Sequence, residues 1–234
     1  MARQKIMRRF ARWHIWLGWL VGVPILMWTV TGLVMVARPI ETVRGEHLRI
    51  ASEETLLPSG NPALPAELEG SEQYAEMRVA MQDGRPVWFV TDAEGNVERY
   101  AADGRDEPLP AVDEDYVRAV VARQIVGGDA PVAVERFSAE DAPFDFRRPV
   151  PSWRVTLEGG THVYFNAQTG EIAAVRTRWW RIFDFMWGLH IMDLSEREDT
   201  SHPLLIIFAV LGVVGSLLGC ILMFRRRRAR VEAV

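Results

Sequence analysis

Histidines are the residues of this chain with the clearest chemical potential, because a neutral imidazole can ligate a metal ion or carry a proton near neutral pH. Of the five, three lie close to the ends of long apolar segments: His14, His190 and His202. The single cysteine, Cys220, and Met223 lie inside one of those segments. No glycine-rich phosphate loop, His-Glu-x-x-His pair, nucleophile elbow or cysteine pair occurs, so the sequence contains no recognisable hydrolase or transferase site.

Two uncharged segments are long enough to cross a membrane as helices, since about 20 residues rising 1.5 Å each span roughly 30 Å of hydrocarbon. The first follows a basic N-terminus, as a signal peptide does, but it is longer than a typical signal core and no cleavage site follows it. We therefore interpret it as a retained anchor. The predicted segments are a basic N-terminus at 1–14, transmembrane helices at 15–37 and 203–224, and a basic tail at 225–234.

Charge is distributed unevenly along the chain. Five basic residues precede the first predicted span and five follow the second, whereas 16 arginines and 30 acidic residues between Pro39 and Pro203 give that region a net charge of −14. The positive-inside rule then predicts that both termini are cytoplasmic and that residues 38–178 are periplasmic, in a bacterial inner membrane. An acidic domain repels nucleic acid, so we expect membrane lipid around the spans and no nucleic-acid partner.

The region between the spans has the pattern of antiparallel strands with one helix. Alternating runs separated by glycine-containing turns predict two strand meanders. Their strands are expected at 78–80, 86–90 and 97–100 in the first and at 153–157, 163–166 and 172–175 in the second. Residues 113–126 predict a helix with a glycine stop at Gly127 and Gly128, and the proline-rich stretches 58–65 and 142–151 are interpreted as linkers.

The two meanders are similar in sequence. Residues 87–97 align with residues 163–172 when one deletion is allowed. An internal duplication explains this similarity, and so does the convergence of two unrelated hairpins on one pattern.

Several motifs together resemble a known family. Pro151–Leu157, with Val163–Ile172 after it, resembles a PepSY domain, whose strand pair ends in a Thr-Gly-Glu turn. The flanking motifs are Trp13–Gly18, which resembles a His-x-x-x-Gly helix entry, Thr31-Gly32, and Gly188-Leu189-His190. From Arg12 to Arg228 the chain is thus similar to PepSY-associated transmembrane proteins, as a small member with two spans where larger relatives have four or more.

The resemblance implies an α+β fold, with two transmembrane helices flanking a periplasmic PepSY-like domain of strand meanders and a helix. A degenerate PepSY-like unit is expected at about 74–128 and a PepSY unit at about 132–178. Some larger relatives are inner-membrane reductases of iron-siderophore uptake that hold b-type haem. One implied function is therefore a haem b subunit that transfers electrons to a periplasmic acceptor. The alternative is a non-catalytic, membrane-anchored binding or regulatory module, so whether the chain is an enzyme stays open.

The same resemblance makes three histidines and two glycines candidates for holding haem. They are His14, His190 and His202, which would ligate the iron, and Gly18 and Gly22, which would let the porphyrin approach the helix. Each has an ordinary alternative. Small residues spaced by four are common in membrane helix packing, a histidine at an interface can contact headgroups, and His202 can cap the second span before Pro203.

His190 belongs to a further predicted element. Large apolar residues recur at helical spacing between Trp179 and Leu194 and predict an amphipathic helix at 179–195 lying in the membrane interface, where His190 could also be its polar border. Near the cytoplasmic face, one chain offers only His14 and the weaker candidate Met223 as ligands. We therefore expect a homodimer, or a subunit of a larger membrane complex. In the homodimer two copies bring His14 together, and one stripe with His14, Gly18 and Gly22 lies opposite Gly215 and Gly219.

Overall fold

The computed structural model describes residues 2–51, 56–60, 68, 74–103 and 108–231, with backbone alone at 2–4 and 226–231. It consists of two compact units. The first, called here the helical unit, comprises Met1–Pro39 and Ile182–Val234. The second, called the sheet unit, comprises Ile40–Arg181.

Two long helices form most of the helical unit. They are α1 at Ala2–Val36 and, numbered fifth in the chain, α5 at Pro203–Val231. The parts Lys5–Val36 and Pro203–Arg225 are long and apolar enough to cross a membrane, in agreement with the two predicted spans. Helix α1 begins well before the predicted span, so the basic N-terminus continues the same helix.

The two long helices pack against each other in antiparallel directions. His14 lies beside Gly219, whereas Leu17, one turn later on α1, lies beside Gly215. Buried and half-buried positions recur on α1 in steps of three and four, which is the spacing that keeps one face of a helix against a partner. Among them are His14, Leu17, Val21, Pro24, Trp28 and Thr31.

The predicted interfacial helix is shorter than expected. Helix α4 occupies Arg178–Ile191, and Met192 follows it with a left-handed φ of 59°. The expectation of helix up to residue 195 is therefore wrong, because the carboxylate of Asp193 accepts hydrogen bonds from backbone N–H groups that follow it and holds the chain in a loop. The location of α4 in a membrane interface stays a prediction.

The sheet unit contains two antiparallel sheets, which confirms a mixed α and antiparallel β fold. The first has the order β1-β2-β3 and the second the order β4-β5-β6-β7. The strands are β1 Tyr74–Gln82, β2 Arg85–Asp92, β3 Val97–Ala101, β4 Ala133–Phe137, β5 Ser152–Thr156, β6 His162–Asn166 and β7 Ile172–Arg176. All six predicted strands are present, and β4 was not predicted. A four-residue helix, α2 at Ile40–Val43, precedes the sheets.

Helix α3, Glu114–Gln124, begins where an acidic cap satisfies its first turn. The side chain of Asp113 accepts a hydrogen bond from the N–H of Tyr116. The helix buries Val117 and Val121 in one core with Val155 and other residues of β5, β6 and β7. The structure thus differs from the predicted division near residue 128, because α3 completes the four-stranded sheet rather than the three-stranded one.

The turn after this helix requires glycine for a steric reason. A Cβ at Gly128 would lie 2.1 Å from the carbonyl oxygen of Val121, a distance that no side chain tolerates. Gly127 has a φ of +77°, which favours glycine as well. The helix itself ends at Gln124 with Ile125 in an extended conformation, so the two predicted glycines follow its end and do not cap it.

The stretch 142–151 is not a linker. Phe146 is completely buried, and its ring stacks on that of Tyr164 with 4.8 Å between centroids. Ala174 of β7 completes this cluster. The stretch therefore covers the face of the four-stranded sheet opposite α3, and its prolines shape a packed segment. Most of the other predicted linker, 58–65, lies outside the described residues.

Candidate functional site

His14 is half-buried between the two long helices, and one hydrogen bond fixes its ring. Nδ1 lies 3.0 Å from the carbonyl oxygen of Gly215. A carbonyl only accepts, so Nδ1 donates, and in the neutral imidazole Nε2 keeps its lone pair. A Cβ at Gly219 would lie 2.8 Å from Cε1 of the ring, so glycine makes room for His14 at this depth.

His190 is held in the same way at the other end of α1. The Oγ1 of Thr31 lies 2.8 Å from the carbonyl oxygen of Met27, to which its hydroxyl donates. The same oxygen lies 2.9 Å from Nδ1 of His190. While the hydroxyl donates to Met27, this oxygen can only accept from Nδ1–H, and a neutral ring then keeps the lone pair of Nε2. Thr31 is buried, and the only sequence signal for it was the Thr-Gly motif, which carried no indication that it would contact His190.

Both imidazoles thus have an oxygen within hydrogen-bond distance of Nδ1. An oxygen that accepts from Nδ1–H is the usual way in which a protein orients a histidine whose Nε2 binds a metal ion. Both rings are anchored to α1, at positions 14 and 31, which a helix separates by about 25 Å. The helical unit thus has one oriented imidazole near position 14 of α1 and another near position 31.

His202 is positioned differently. Its carbonyl oxygen accepts the N–H of Ile206 over 3.2 Å, so its backbone begins α5 immediately before Pro203. Its Nδ1 is buried and has no hydrogen-bond partner within the described part of the chain. No hydrogen bond among the described residues joins it to His190. Its backbone therefore occupies the predicted capping position, and its role as a ligand stays a prediction.

Gly18 and Gly22 do not face α5. A Cβ at either position would have nothing within 4 Å. Their predicted place opposite Gly215 and Gly219 is wrong, because each step of four residues turns about 40° around a helix and the row leaves the packed face. A role for the two glycines towards a group outside the hairpin stays a prediction. Met223 is likewise 62% exposed.

No group of three or more histidine, cysteine, aspartate or glutamate side chains is arranged to hold a metal ion in the ranges that the structure describes. A polydentate metal site thus has no support in these ranges. A haem iron is a separate case, since two axial ligands suffice for it.

A rigid loop follows the helix that carries His190. The carboxylate of Asp193, which is 6% exposed, accepts hydrogen bonds from the backbone N–H groups of Ser195, Glu196, Glu198 and Asp199. Burial alone would raise the pKa of Asp193, but these donors outweigh it and lower the pKa below its ordinary value. Arg197 returns to α4 and forms an ion pair with Asp184 at 2.5 Å. No sequence pattern predicted the hydrogen bonds of Asp193 or the ion pair between Arg197 and Asp184.

The sheet unit contains a large open groove of about 1280 Å³. Its walls are the β1–β2 turn, one side of α3, and the β6–β7 turn with the first residues of β7; Arg49, Leu56, Leu57 and Arg148 also line it. Side-chain hydrogen bonds hold these walls together. Gln82 donates to the carbonyl oxygen of Thr169 over 2.7 Å, and the hydroxyl of Tyr116 donates to Asp83 over 3.0 Å.

Tyr116 also contacts the Thr-Gly-Glu turn. Gly170 has a φ of +71°, and a Cβ there would lie 2.8 Å from Cε1 of the Tyr116 ring. Burial and the neighbouring Asp83 carboxylate raise the pKa of Tyr116 to about 12, so the phenol stays a hydrogen-bond donor. The glycine of this turn is thus required both by the backbone and by the tyrosine of α3.

The charges in the groove are only partly paired. Asp83 forms an ion pair with Arg123 at 2.6 Å, and Glu171 pairs with Arg78 at 3.0 Å. Arg49 and Arg148 are exposed, and within the described ranges they have no carboxylate partner. Among the described residues, the groove therefore presents two guanidinium groups without a carboxylate partner.

A second polar cluster lies beneath the packed stretch 142–151. The carboxylate of Asp145 lies 2.9 Å from Nδ1 of His162 and accepts a hydrogen bond from the hydroxyl of Tyr164 over 2.5 Å. Burial raises the pKa of Tyr164, and the carboxylate raises it further. His162 is thus part of a structural network. None of the described hydrogen bonds connects the network to a nucleophile.

The model for the family described as the PepSY-associated TM region matches residues 11–233. The chain belongs to this family. Because the match extends over both long helices and the sheet unit, the PepSY-associated chain is a membrane protein with two transmembrane helices. No curated protein and no solved structure matches the chain.

Proposed function

We propose that this chain is a membrane-anchored binding module of the bacterial inner membrane. In this proposal both termini are cytoplasmic, and the sheet unit is a periplasmic PepSY-like domain that binds a partner protein. The charge distribution supports the orientation, because basic residues flank the spans on one side and the segment between them has a net charge of −14.

The observation that carries the proposal is the groove with its two arginines. An acidic domain has many carboxylates with which to neutralise its cations, yet Arg49 and Arg148 remain without one among the described residues and line the same groove. This arrangement favours a partner that brings its own carboxylates, since complementary charge orients an encounter and raises its rate.

The test is recovery of a partner with the tagged full-length protein from membranes. We expect a stoichiometric partner with the wild type and with Arg85→Glu, a matched charge reversal at an exposed residue that does not line the groove. The double variant Arg49→Glu/Arg148→Glu should lose it. Equal recovery with all three proteins would refute the proposed function.

A second candidate function is a haem b subunit that transfers electrons to a periplasmic acceptor such as a ferric siderophore. It is favoured by the orientation of His14 and His190, each of which has an oxygen beside Nδ1, as a histidine that ligates a metal ion through Nε2 usually has. The two residues would each supply one axial ligand, and His202 is a further candidate. Bound haem would supply one-electron transfer. A haem iron takes two axial ligands, but one chain supplies a single oriented imidazole at each of the two positions. This candidate therefore requires a homodimer or another subunit.

Absorption spectroscopy tests the second candidate. Protein produced with ample haem should have a Soret band that His14→Ala or His190→Ala weakens. His47→Ala is the matched control, since His47 is exposed and belongs to the sheet unit. A colourless preparation of correctly folded protein would eliminate this candidate and leave the binding module.

A further inference from the structure

The outer edge of β7 is open where it borders the groove. This strand pairs with β6 on one side only, and Ile172 and Ala173 line the groove. In the described part of the chain, no backbone hydrogen bond connects Ile172–Val175 to a segment other than β6. An unpaired strand edge can accept a further strand through main-chain hydrogen bonds.

The open stretch of this edge is short and has a defined position. At the far end Gly45 packs against the side chain of Val175, where a Cβ at position 45 would be 2.6 Å from Cγ1 of Val175. At the near end the pairing with β6 passes from Phe165 opposite Ile172 to Tyr164 opposite Ala174. Ala173 therefore has no partner on β6, and this irregular position lies in the groove.

The charges beside the open edge indicate what kind of strand it would accept. Arg49 and Arg148 line the groove without a carboxylate partner among the described residues, whereas Asp83 and Glu171 are each paired with an arginine. Among the residues that line the groove, three arginines face two carboxylates, so the groove has a local net charge of +1 in an otherwise acidic region, which favours negative charge there. Leu57, 42% exposed, adds an apolar contact surface.

We propose that the groove binds an extended acidic peptide segment of a partner protein. The segment adds as a strand to β7 at Ile172 and Ala173, and its carboxylates contact Arg49 and Arg148. This inference rests on the proposed function and specifies the chemistry of the partner. Main-chain hydrogen bonds would supply affinity, and the two arginines would select acidic side chains.

The test measures fluorescence anisotropy of a fluorescein-labelled Thr-Glu repeat peptide added to the full-length protein in nanodiscs. We expect binding that weakens as salt rises, and no binding of a Thr-Lys repeat of equal length. Arg49→Gln/Arg148→Gln should weaken binding about three- to tenfold, as the loss of two partly exposed ion pairs predicts. Arg85→Gln should leave it unchanged.

A second probe isolates the strand pairing. A Thr-Glu repeat with N-methyl groups on alternate amides keeps its charge but cannot donate along one edge. We expect this peptide to bind about tenfold more weakly, since two main-chain hydrogen bonds are lost. Equal affinity for both peptides would overturn the inference, as would equal affinity for the Thr-Lys repeat.

Failure of the inference is distinguishable from failure of the proposed function. Suppose that the methylated peptide binds as well as the parent peptide, while Arg49→Glu/Arg148→Glu still loses the partner protein. Strand addition is then wrong, and the proposed binding module stands. If Arg49→Glu/Arg148→Glu retains the partner protein in full, the groove does not bind that partner. The proposed function and the strand-addition inference are then both refuted.

Discussion

Gly170→Ala tests how the groove is built, because two separate requirements exclude a side chain at this position. Its φ of +71° lies in the left-handed region, and a Cβ would lie 2.8 Å from the ring of Tyr116. Gly159 offers a matched control, since its φ of +78° imposes the same backbone requirement while a Cβ there would meet nothing within 4 Å. The difference between the two variants therefore reports the contact with Tyr116.

The expected decreases in the free energy of unfolding follow from these contacts. A left-handed non-glycine residue costs about 1–2 kcal/mol, which applies to both alanine variants. At position 170 the ring must also move, and it then loses its hydrogen bond to Asp83, which is a further loss of about 1 kcal/mol. We expect the free energy of unfolding of the sheet unit to fall by about 2–3 kcal/mol for Gly170→Ala and by about 1 kcal/mol less for Gly159→Ala.

Hydrogen exchange of the sheet unit in urea measures these losses in the intact protein, because it follows the opening of residues 163–176 separately from the membrane helices. A tyrosinate titration provides a second readout. The pKa of Tyr116, raised to about 12 by burial and by Asp83, should fall in Gly170→Ala and stay unchanged in Gly159→Ala. Equal destabilisation by the two substitutions, with no change in that pKa, would refute the steric argument.

Three further predictions concern single residues. Gly128→Ala should prevent recovery of folded protein, measured as the monodisperse fraction after extraction, because its Cβ would lie 2.1 Å from a helix carbonyl oxygen. Burial would raise the pKa of Asp145, but the donors around it lower the pKa below its unfolded value. The contribution of ionised Asp145 to the free energy of unfolding is therefore fully present above about pH 4. It is lost as the pH falls through the lower pKa of the folded state. Denaturation at several pH values should reveal this loss in the wild type and its absence in Asp145→Asn. Asp193→Ala removes the acceptor of four backbone N–H groups and should speed proteolysis within residues 192–200, whereas Asp199→Ala, which removes one such bond, should have a smaller effect.

The hairpins were predictable because their signals are local. Alternation of apolar residues and a glycine-containing turn lie within about a dozen residues, and each predicted strand is present. Both compared hairpins also use a side-chain acceptor at the start of the turn. Asp92 accepts from the N–H of Asn96, and Asn166 accepts from the N–H groups of Gln168 and Thr169. The similarity of the two meanders in sequence thus extends to their turns.

The candidate sites were predictable only in part. His14 and His190 stood out as imidazoles at the ends of apolar segments, but the acceptors that orient them lie 201 and 159 residues away in the chain. The glycine row at Gly18 and Gly22 illustrates the opposite error. Its spacing is a true helical periodicity, yet only the packing of the two helices decides which face of α1 is covered.

The sequence by itself determined the two apolar helices, the polarity of their flanks, the strand meanders and the membership in a PepSY-associated membrane family. Composition and short-range periodicity are sufficient for these features, because membrane insertion and strand formation depend on contiguous residues. Tertiary structure alone decided which sheet α3 completes, which oxygens lie beside Nδ1 of His14 and His190, and where the groove with Arg49 and Arg148 opens. These properties depend on contacts between distant segments, and no local pattern encodes the distance between two atoms that only folding brings together.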